Sequence, residues 1–243
     1  MYKKCCFGLG LFLSVLIAQA QESRTDTTAL MILDKMSGVL GELKSVGFTS
    51  TIANDVAYSE DLFIKEFTSS RVRITGPNKF SIRLSGENKD DLYAYDGSQV
   101  VYYSFKNNIY TVADAPDNVI ETIDWLYTDF NVEFATADLF YPSFSADFAE
   151  YMDYIEFLGV THIDGERVFH IAGANDKITV QLWISDDAYY LPRKTLITYL
   201  EGQYAHQFQT DFTDWELNQE YPESIFEFMP PPGARQITWL KKN

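Results

Sequence analysis

The chain of 243 residues carries 35 acidic and 19 basic side chains, which give a formal net charge of −16 at pH 7. Such an acidic surface repels phosphate backbones and anionic lipid headgroups, so we exclude nucleic acid as a partner. Aromatic side chains make up 16% of the residues, and the burial that they supply distinguishes the chain from an acidic disordered one.

The first 20 residues have the composition of a cleavable secretory signal peptide. Lys3 and Lys4 precede an uncharged apolar run over residues 5–17, and an Ala-x-Ala cleavage site ends at Ala20. The run is short for a membrane span and no stop-transfer pattern follows it, which disfavours a membrane anchor. Both cysteines stand at the start of the run, so a lipobox is lacking. We predict a periplasmic, cysteine-free mature chain, residues 21–243, forming a single domain without an integral membrane span.

Helical periodicity occurs at the beginning and in the middle of this mature chain. Residues 26–46 place Leu and Met at three- and four-residue spacing, which predicts an amphipathic helix capped by Thr25 or Asp26. A second helix is predicted from Asp114, with that acid at the cap and Pro116 in the first turn. Two shorter helical pieces are predicted around residues 137–141 and 145–153.

Most of the remaining chain has the two-residue period of strands. Turn signals divide residues 47–113 into a meander of four to six strands, and Asp164 with Gly165 is a two-residue hairpin signal. Further strands are predicted over residues 154–161, 166–172, 203–217 and 226–229, with an antiparallel pair inside residues 177–200. Because helices interrupt the sheet instead of following every strand, this order predicts an α+β fold with an antiparallel sheet.

Apolar residues at alternate positions of these strands predict which side chains face the core. Whether they line a ligand cavity or a filled core cannot be decided from their spacing. The candidates for lining a cavity are Phe80, Ile82, Leu84, Ile178, Val180, Leu182 and Leu196.

No nucleophile elbow, phosphate-binding loop, Rossmann glycine pattern or zincin helix occurs in the sequence. We therefore predict no catalytic residue and no cofactor. His162 and His170 flank the predicted hairpin turn, where a metal would need a third ligand such as Asp164 or Glu166. Histidines with a structural role in a sheet are the preferred interpretation, and no metal site is predicted.

Two pairs of adjacent acids offer an alternative, a hydrolase that acts through carboxylates. Asp90 precedes Asp91, and Asp186 precedes Asp187. Neighbours on a strand point to opposite faces and cannot flank one bond, so solvated turn residues are the preferred interpretation.

An isolated basic pair, Arg193 and Lys194, follows Pro192 in this otherwise acidic chain. The two residues are candidates for contacting an anionic ligand or partner at the rim of a cavity. The alternative is that they face solvent and discourage pairing at a sheet edge.

Several segments in this order resemble a DUF family of predicted periplasmic proteins, which is similar in turn to the lipoprotein carrier and receptor superfamily of LolA and LolB. The resemblance covers nearly all of the mature chain. It rests on residues 29–46, 92–97, 108–116, 137–140, 183–184, 191–194 and 226–234. It implies a strongly curved antiparallel sheet, an unclosed half-barrel, whose concave face is covered by helices.

Two functional hypotheses follow from the sequence and the resemblance. The first is a non-enzymatic periplasmic protein that binds a hydrophobic ligand, such as an acyl chain, a lipid or a lipidated peptide, between the curved sheet and its helices. The second is a periplasmic sensor or protein–protein interaction module that uses the same fold without a lipid ligand. The sequence does not identify a protein partner.

Overall fold

The computed structural model describes residues 24–59, 62–134, 136–200 and 205–242, and the predicted signal peptide lies outside these ranges. The helices are α1 (Thr27–Glu42), α2 (Val119–Phe130) and α3 (Phe144–Tyr151), with 3₁₀ helices at Ala137–Phe140 and Glu223–Ile225. The strands are β1 (Arg24–Thr25), β2 (Ser45–Ser59), β3 (Leu62–Thr75), β4 (Lys79–Gly86), β5 (Asp90–Tyr95), β6 (Gln99–Ser104), β7 (Ile109–Asp114), β8 (Tyr154–Ile163), β9 (Glu166–Ala174), β10 (Ile178–Ser185), β11 (Pro192–Tyr199), β12 (His206–Leu217) and β13 (Arg235–Gln236).

These strands form one sheet in the order β1-β8-β9-β10-β11-β12-β2-β3-β4-β5-β6-β7-β13. Neighbouring strands are antiparallel except at the two ends, where β1 pairs with β8 and β13 pairs with β7 in parallel. The sheet is strongly curved and does not close, and the helices cover its concave face. The predicted α+β half-barrel is confirmed, and residues 45–114 form six strands of the predicted meander.

The concave or inner face of the sheet is the one that carries Phe48, Ile82 and Leu182. The 3₁₀ helix Ala137–Phe140 covers it at β2, where the rings of Phe140 and Phe48 stack with centroids 5.2 Å apart. Gly173 of β9 lies beneath α3, since a Cβ built there would stand 2.5 Å from the Phe148 ring. Only glycine permits so close an approach of helix and strand.

Helix α1 forms where the spacing of its apolar residues predicts it. Its cap is Asp26, whose carboxylate accepts a hydrogen bond of 2.7 Å from the backbone N–H of Thr28. The buried side chains of this helix's apolar stripe belong to the same hydrophobic core as those of α3 and of the inner face of the sheet. The buried members of the stripe are Ala29, Ile32, Leu33, Met36, Ser37 and Leu40.

Two predicted local features are wrong. The cap of α2 is Asn118 and not Asp114: its side-chain oxygen accepts from the N–H of Glu121 at 2.9 Å, and the helix begins after the Pro116 segment. The strand predicted from Phe226 is replaced by the end of a 3₁₀ turn, because the Phe226 ring is buried in the core. The last strand, β13, follows the proline run instead of preceding it.

Candidate ligand-binding groove

A groove of about 680 Å³ opens between the β7 end of the sheet, the second half of α2 and the segment that follows β13. We call it the β7 groove. Its volume lies within the range of small-molecule sites, and its lining combines three aromatic side chains with polar and charged ones. The lining residues are Val112, Ala113, Asp114, Trp125, Phe130, Gln236, Ile237, Thr238, Trp239 and Lys241.

The segment 237–242, which we call the C-terminal segment, forms one wall of the groove. It first follows β7, where the N–H of Ile237 donates to the carbonyl of Tyr110 at 2.8 Å. It then crosses to the inner face, where the Trp239 ring lies 4.5 Å from that of Phe130. The rings of Tyr102 and Tyr93 lie 6.2 and 6.5 Å from it. The groove therefore forms because the chain pairs with β7 over a short stretch, at β13 and Ile237, and then leaves the edge of the sheet.

An ion pair anchors the far end of this segment to α2. Lys241 Nζ lies 2.6 Å from Asp129 Oδ2, and the N–H of Lys242 donates to the Asp129 carbonyl at 2.6 Å. The hydrogen bond from Lys241 holds the pKa of Asp129 below its ordinary value. The Lys241 ammonium also lies 5.9 Å from the centre of the Phe130 ring, within cation–π range.

The aromatic wall of the groove has perpendicular and tilted ring contacts. Trp125 meets Phe130 edge to face, with centroids 4.9 Å apart and planes at 83°. Behind Trp239, Tyr93 packs edge to face on Phe134 at 5.1 Å. Burial raises the pKa of Tyr93, and the nearby Tyr102 and Asp91 raise it further. The phenol therefore stays neutral behind the Trp239 ring.

Six of the seven predicted cavity-lining residues lie on the inner face. Phe80, Ile82, Val180 and Leu182 are buried there, while Leu84 and Ile178 are partly buried against the same core. None of the seven lines the β7 groove. A ligand role for these inner-face residues stays a prediction.

The seventh residue, Leu196, does not face the core as predicted. It pairs with Gln181, whereas Leu182, which belongs to the core-facing set of β10, pairs with Thr195. Cross-strand partners share a face, so Leu196 lies on the convex, outer face. The physical reason is the register shift between Trp183 and Ile184, where β11 has one extra residue near the turn. Because side chains alternate between the two faces of a strand, this extra residue changes which side chains of β11 face inward.

Both predicted rim cations are engaged by carboxylates. Arg193 lies 2.7 Å from Glu166, and Lys194 lies 2.7 Å from Asp211. Neither residue lines the β7 groove. A role of this pair in binding an anionic ligand stays a prediction, and any such ligand would compete with these ion pairs.

The histidines and acid pairs are not brought together into a site. His162 pairs with Arg167 and His170 with Gly159, so the two histidines are not cross-strand partners. His170 instead stacks on Trp183 at 4.5 Å. Within the part of the chain that the structure describes, no group of three or more His, Cys, Asp or Glu is placed to hold a metal.

The acids of each adjacent pair have separate roles. Asp91 accepts a hydrogen bond of 3.1 Å from Tyr102, while Asp90 pairs with Arg83. Asp186 forms an ion pair with Arg167 at 2.8 Å. Asp187 accepts from the backbone N–H groups of the β10–β11 turn, as a turn aspartate does.

Sequence periodicity does not mark the aromatic residues of the groove. The apolar stripe predicted for the second helix consists of Val119, Ile120, Ile123 and Leu126, so it does not include Trp125. Trp239 follows three consecutive prolines in a stretch without periodicity. The available signal was a pair of large aromatics outside any apolar stripe. Such residues are informative when they are exposed to a cavity, because burial alone does not account for them.

Comparisons with known proteins agree with this architecture. Residues 29–240 match the family model described as a predicted periplasmic protein, DUF2092. Lipoprotein LppX of Mycobacterium tuberculosis is 14% identical, with a TM-score of 0.50 over 82% of this chain and 99% of LppX. An uncharacterised conserved protein from Thermus thermophilus is 12% identical, with a TM-score of 0.48 over 87% and 99%. A LolA-superfamily protein from Nitrosomonas europaea is 14% identical, with a TM-score of 0.38 over 82% and 97%.

At 14% identity and a TM-score of 0.50, the likeness to LppX shows the fold alone. No curated protein matches the chain. Among the described residues, no helix has both the length and the apolar composition needed to cross a membrane. The family match agrees with the predicted resemblance and with the predicted location in the periplasm. The chain belongs to the family of predicted periplasmic proteins, DUF2092.

Proposed function

We propose that this periplasmic protein binds an apolar chain, such as the acyl chain of a lipid, in the β7 groove and does so without catalysis. The observation that carries the proposal is the aromatic wall of Trp125, Phe130 and Trp239 around an open space of about 680 Å³. A groove lined by large apolar side chains gains free energy chiefly by removing apolar ligand surface from water.

The magnitude of this gain suits a carrier or receptor of single chains. Each buried CH₂ group contributes roughly 0.8 kcal/mol, so about ten of them supply roughly 8 kcal/mol. That free energy corresponds to a Kd of about 1 μM, before the cost of ordering ligand and side chains is subtracted. The affinity from burial alone is therefore expected to be weaker than about 1 μM by the amount of these costs.

The ionisable groups around the groove support binding rather than catalysis. Lys241 is held by Asp129, and Asp114 accepts a hydrogen bond of 3.0 Å from Gln99. Lys241 stands beside the aromatic wall, where its ammonium offsets the repulsion between this acidic protein and the carboxylate of a fatty acid or the phosphate of a lipid. Such a headgroup would share this ammonium with Asp129.

The proposal is tested by titrating the protein with 11-(dansylamino)undecanoic acid and following dansyl fluorescence. Ala113→Trp places an indole inside the groove. We expect this variant to bind the probe at least about tenfold more weakly, because fewer methylenes of the probe's acyl chain can then be buried. Thr128→Trp is the matched control, because Thr128 is exposed on α2 and does not line the groove.

Two outcomes would contradict the proposal. One is a wild-type protein that does not bind the probe at concentrations near 100 μM. The other is unchanged binding in Ala113→Trp while its circular dichroism and thermal unfolding match those of Thr128→Trp.

A further inference from the structure

The opposite end of the sheet has an edge that the described residues leave largely unpaired. Strand β8 spans Tyr154–Ile163, but β1 pairs with it only at Tyr154 and Ile155. The N–H of Phe157 donates to the Asp26 carboxylate at 3.4 Å. Beyond Phe157, no other described residue makes a backbone hydrogen bond to this side of β8. We call residues 157–163 the open edge.

The turn after β8 fixes which backbone groups point outward. Asp164 and Gly165 have φ values of 52° and 84°, as a two-residue type I′ hairpin requires. In that hairpin the flanking residues, Ile163 and Glu166, form a hydrogen-bonded pair. Bonded and non-bonded pairs alternate along the ladder, so the N–H and C=O groups of Val160 and His162 point away from β9 and towards solvent.

Apolar side chains accompany these unpaired backbone groups. Leu158 is 51% exposed and Val160 is 46% exposed. Inward of them lies a row of rings, in which Phe169 packs against Phe157 at 6.1 Å and stacks on Tyr190 at 5.8 Å. A strand added at the open edge would continue the inner face, and its alternate side chains would cover this apolar row.

The length of the open edge favours a short peptide over another sheet. Beyond the bulge at Gly159 the regular part of the open edge is residues 160–163, which span roughly 13 Å. Gly159, at φ 103°, marks a bulge that interrupts the pairing with β9 after Phe157. Bulges of this kind discourage the extended edge-to-edge association of two sheets while leaving a short regular stretch available.

The charge of the protein favours a basic peptide over a second copy of the chain as the partner of the open edge. A formal net charge of −16 makes a second copy of the chain an unfavourable partner. Glu156 precedes the open edge and Asp164 follows it, so carboxylates flank both ends. We propose that the open edge of β8 docks an extended, basic and apolar peptide segment of a partner protein by strand addition. This inference is independent of the β7 groove.

The test uses a fluorescein-labelled peptide, Lys-Val-Lys-Val-Lys-Val-Lys, and the same peptide with every backbone nitrogen methylated. Both carry the same charge, but the methylated form cannot donate to a strand. We expect fluorescence anisotropy to show at least about tenfold tighter binding of the first peptide. Hydrogen exchange should show new protection of the Val160 and His162 amides when it binds.

The protein side of the test is the double variant Leu158→Ser with Val160→Ser, which should lose most of this affinity. Met229→Ser, at a residue that is 88% exposed elsewhere on the surface, is the matched control and should bind normally. Equal affinity for the two peptides would overturn the proposal, because binding would then depend on charge alone. Native mass spectrometry showing a dimer that the double variant abolishes would also overturn it, in favour of a second copy.

Discussion

The edge strands at the two ends of the curved sheet pair with similar short strands, but the segments that follow these short strands run differently. Each end carries a two-residue parallel strand, β1 beside β8 and β13 beside β7. After β13 the chain continues over the inner face and places Trp239 against Phe130, which encloses a groove. After β1 the chain turns at Asp26 into α1, and no other described strand pairs with the rest of β8 on this side.

This difference shows that a half-barrel acquires distinct surfaces from the segments attached to its edge strands. At the β7 end, the described residues pair with the outer edge of β7 only as far as Tyr110, and Val112 and Asp114 beyond it line a groove with three aromatic side chains. At the β8 end, the unpaired backbone beside Val160 faces solvent. The first environment suits an apolar chain, and the second suits a peptide that can pair with a strand.

The largest effect is expected where α3 presses on the sheet near the β8 end. Gly173→Val adds a branched side chain whose Cβ would stand 2.5 Å from the Phe148 ring. We expect the free energy of unfolding in urea to fall by about 3 kcal/mol, the upper part of the range for overpacking. Gly41→Ala in α1 is the control, since a Cβ there meets nothing within 4 Å. That control should be neutral or stabilising by up to about 1 kcal/mol; equal stability of the two variants would show that α3 does not lie on β9.

A smaller loss of stability is expected at the β7 end. Trp239→Ala removes a partly buried ring from its contacts with Phe130, Tyr102 and Tyr93. We expect the free energy of unfolding to fall by about 2 kcal/mol, less than the roughly 3–5 kcal/mol of a fully buried aromatic residue. Trp239→Phe should recover part of the loss. An unchanged stability in Trp239→Ala would mean that the C-terminal segment does not pack on the inner face.

The smallest effect concerns the anchor of that segment. The pKa of Asp129 is lowered from its ordinary value of 3.8 by the hydrogen bond from Lys241. A carboxyl whose pKa is lowered on folding contributes stability above its unfolded pKa, and loses it as the pH falls through the folded pKa. We therefore expect Asp129→Asn to be slightly less stable than wild type at pH 7, by a difference that shrinks as the pH falls below 3.8. A constant difference between pH 7 and pH 3, measured by thermal unfolding, would contradict the ionic anchor.

The sequence predicts the parts of this fold that local chemistry decides. The α1 stripe, the Asp164–Gly165 hairpin and the meander all follow from periodicity and turn residues. The face of Leu196 does not follow, because β11 has apolar residues in both alternating sets, and the register shift at Trp183 and Ile184 decides between them. Trp239 could not be placed either, since only tertiary contacts with Phe130 fix where the C-terminal segment runs.

The central claim is that an apolar chain occupies the β7 groove, beside two of the four Trp residues of the chain. The most direct measurement is the quenching of tryptophan fluorescence by 9,10-dibromostearic acid, in wild type and in the double variant Trp125→Phe with Trp239→Phe. Bromine quenches over short distances, so the claim predicts strong quenching in wild type and almost none from Trp183 and Trp215 in the variant. Equal fractional quenching in the two proteins, with the ligand bound to both, would mean that the acyl chain lies outside the β7 groove and would contradict the claim.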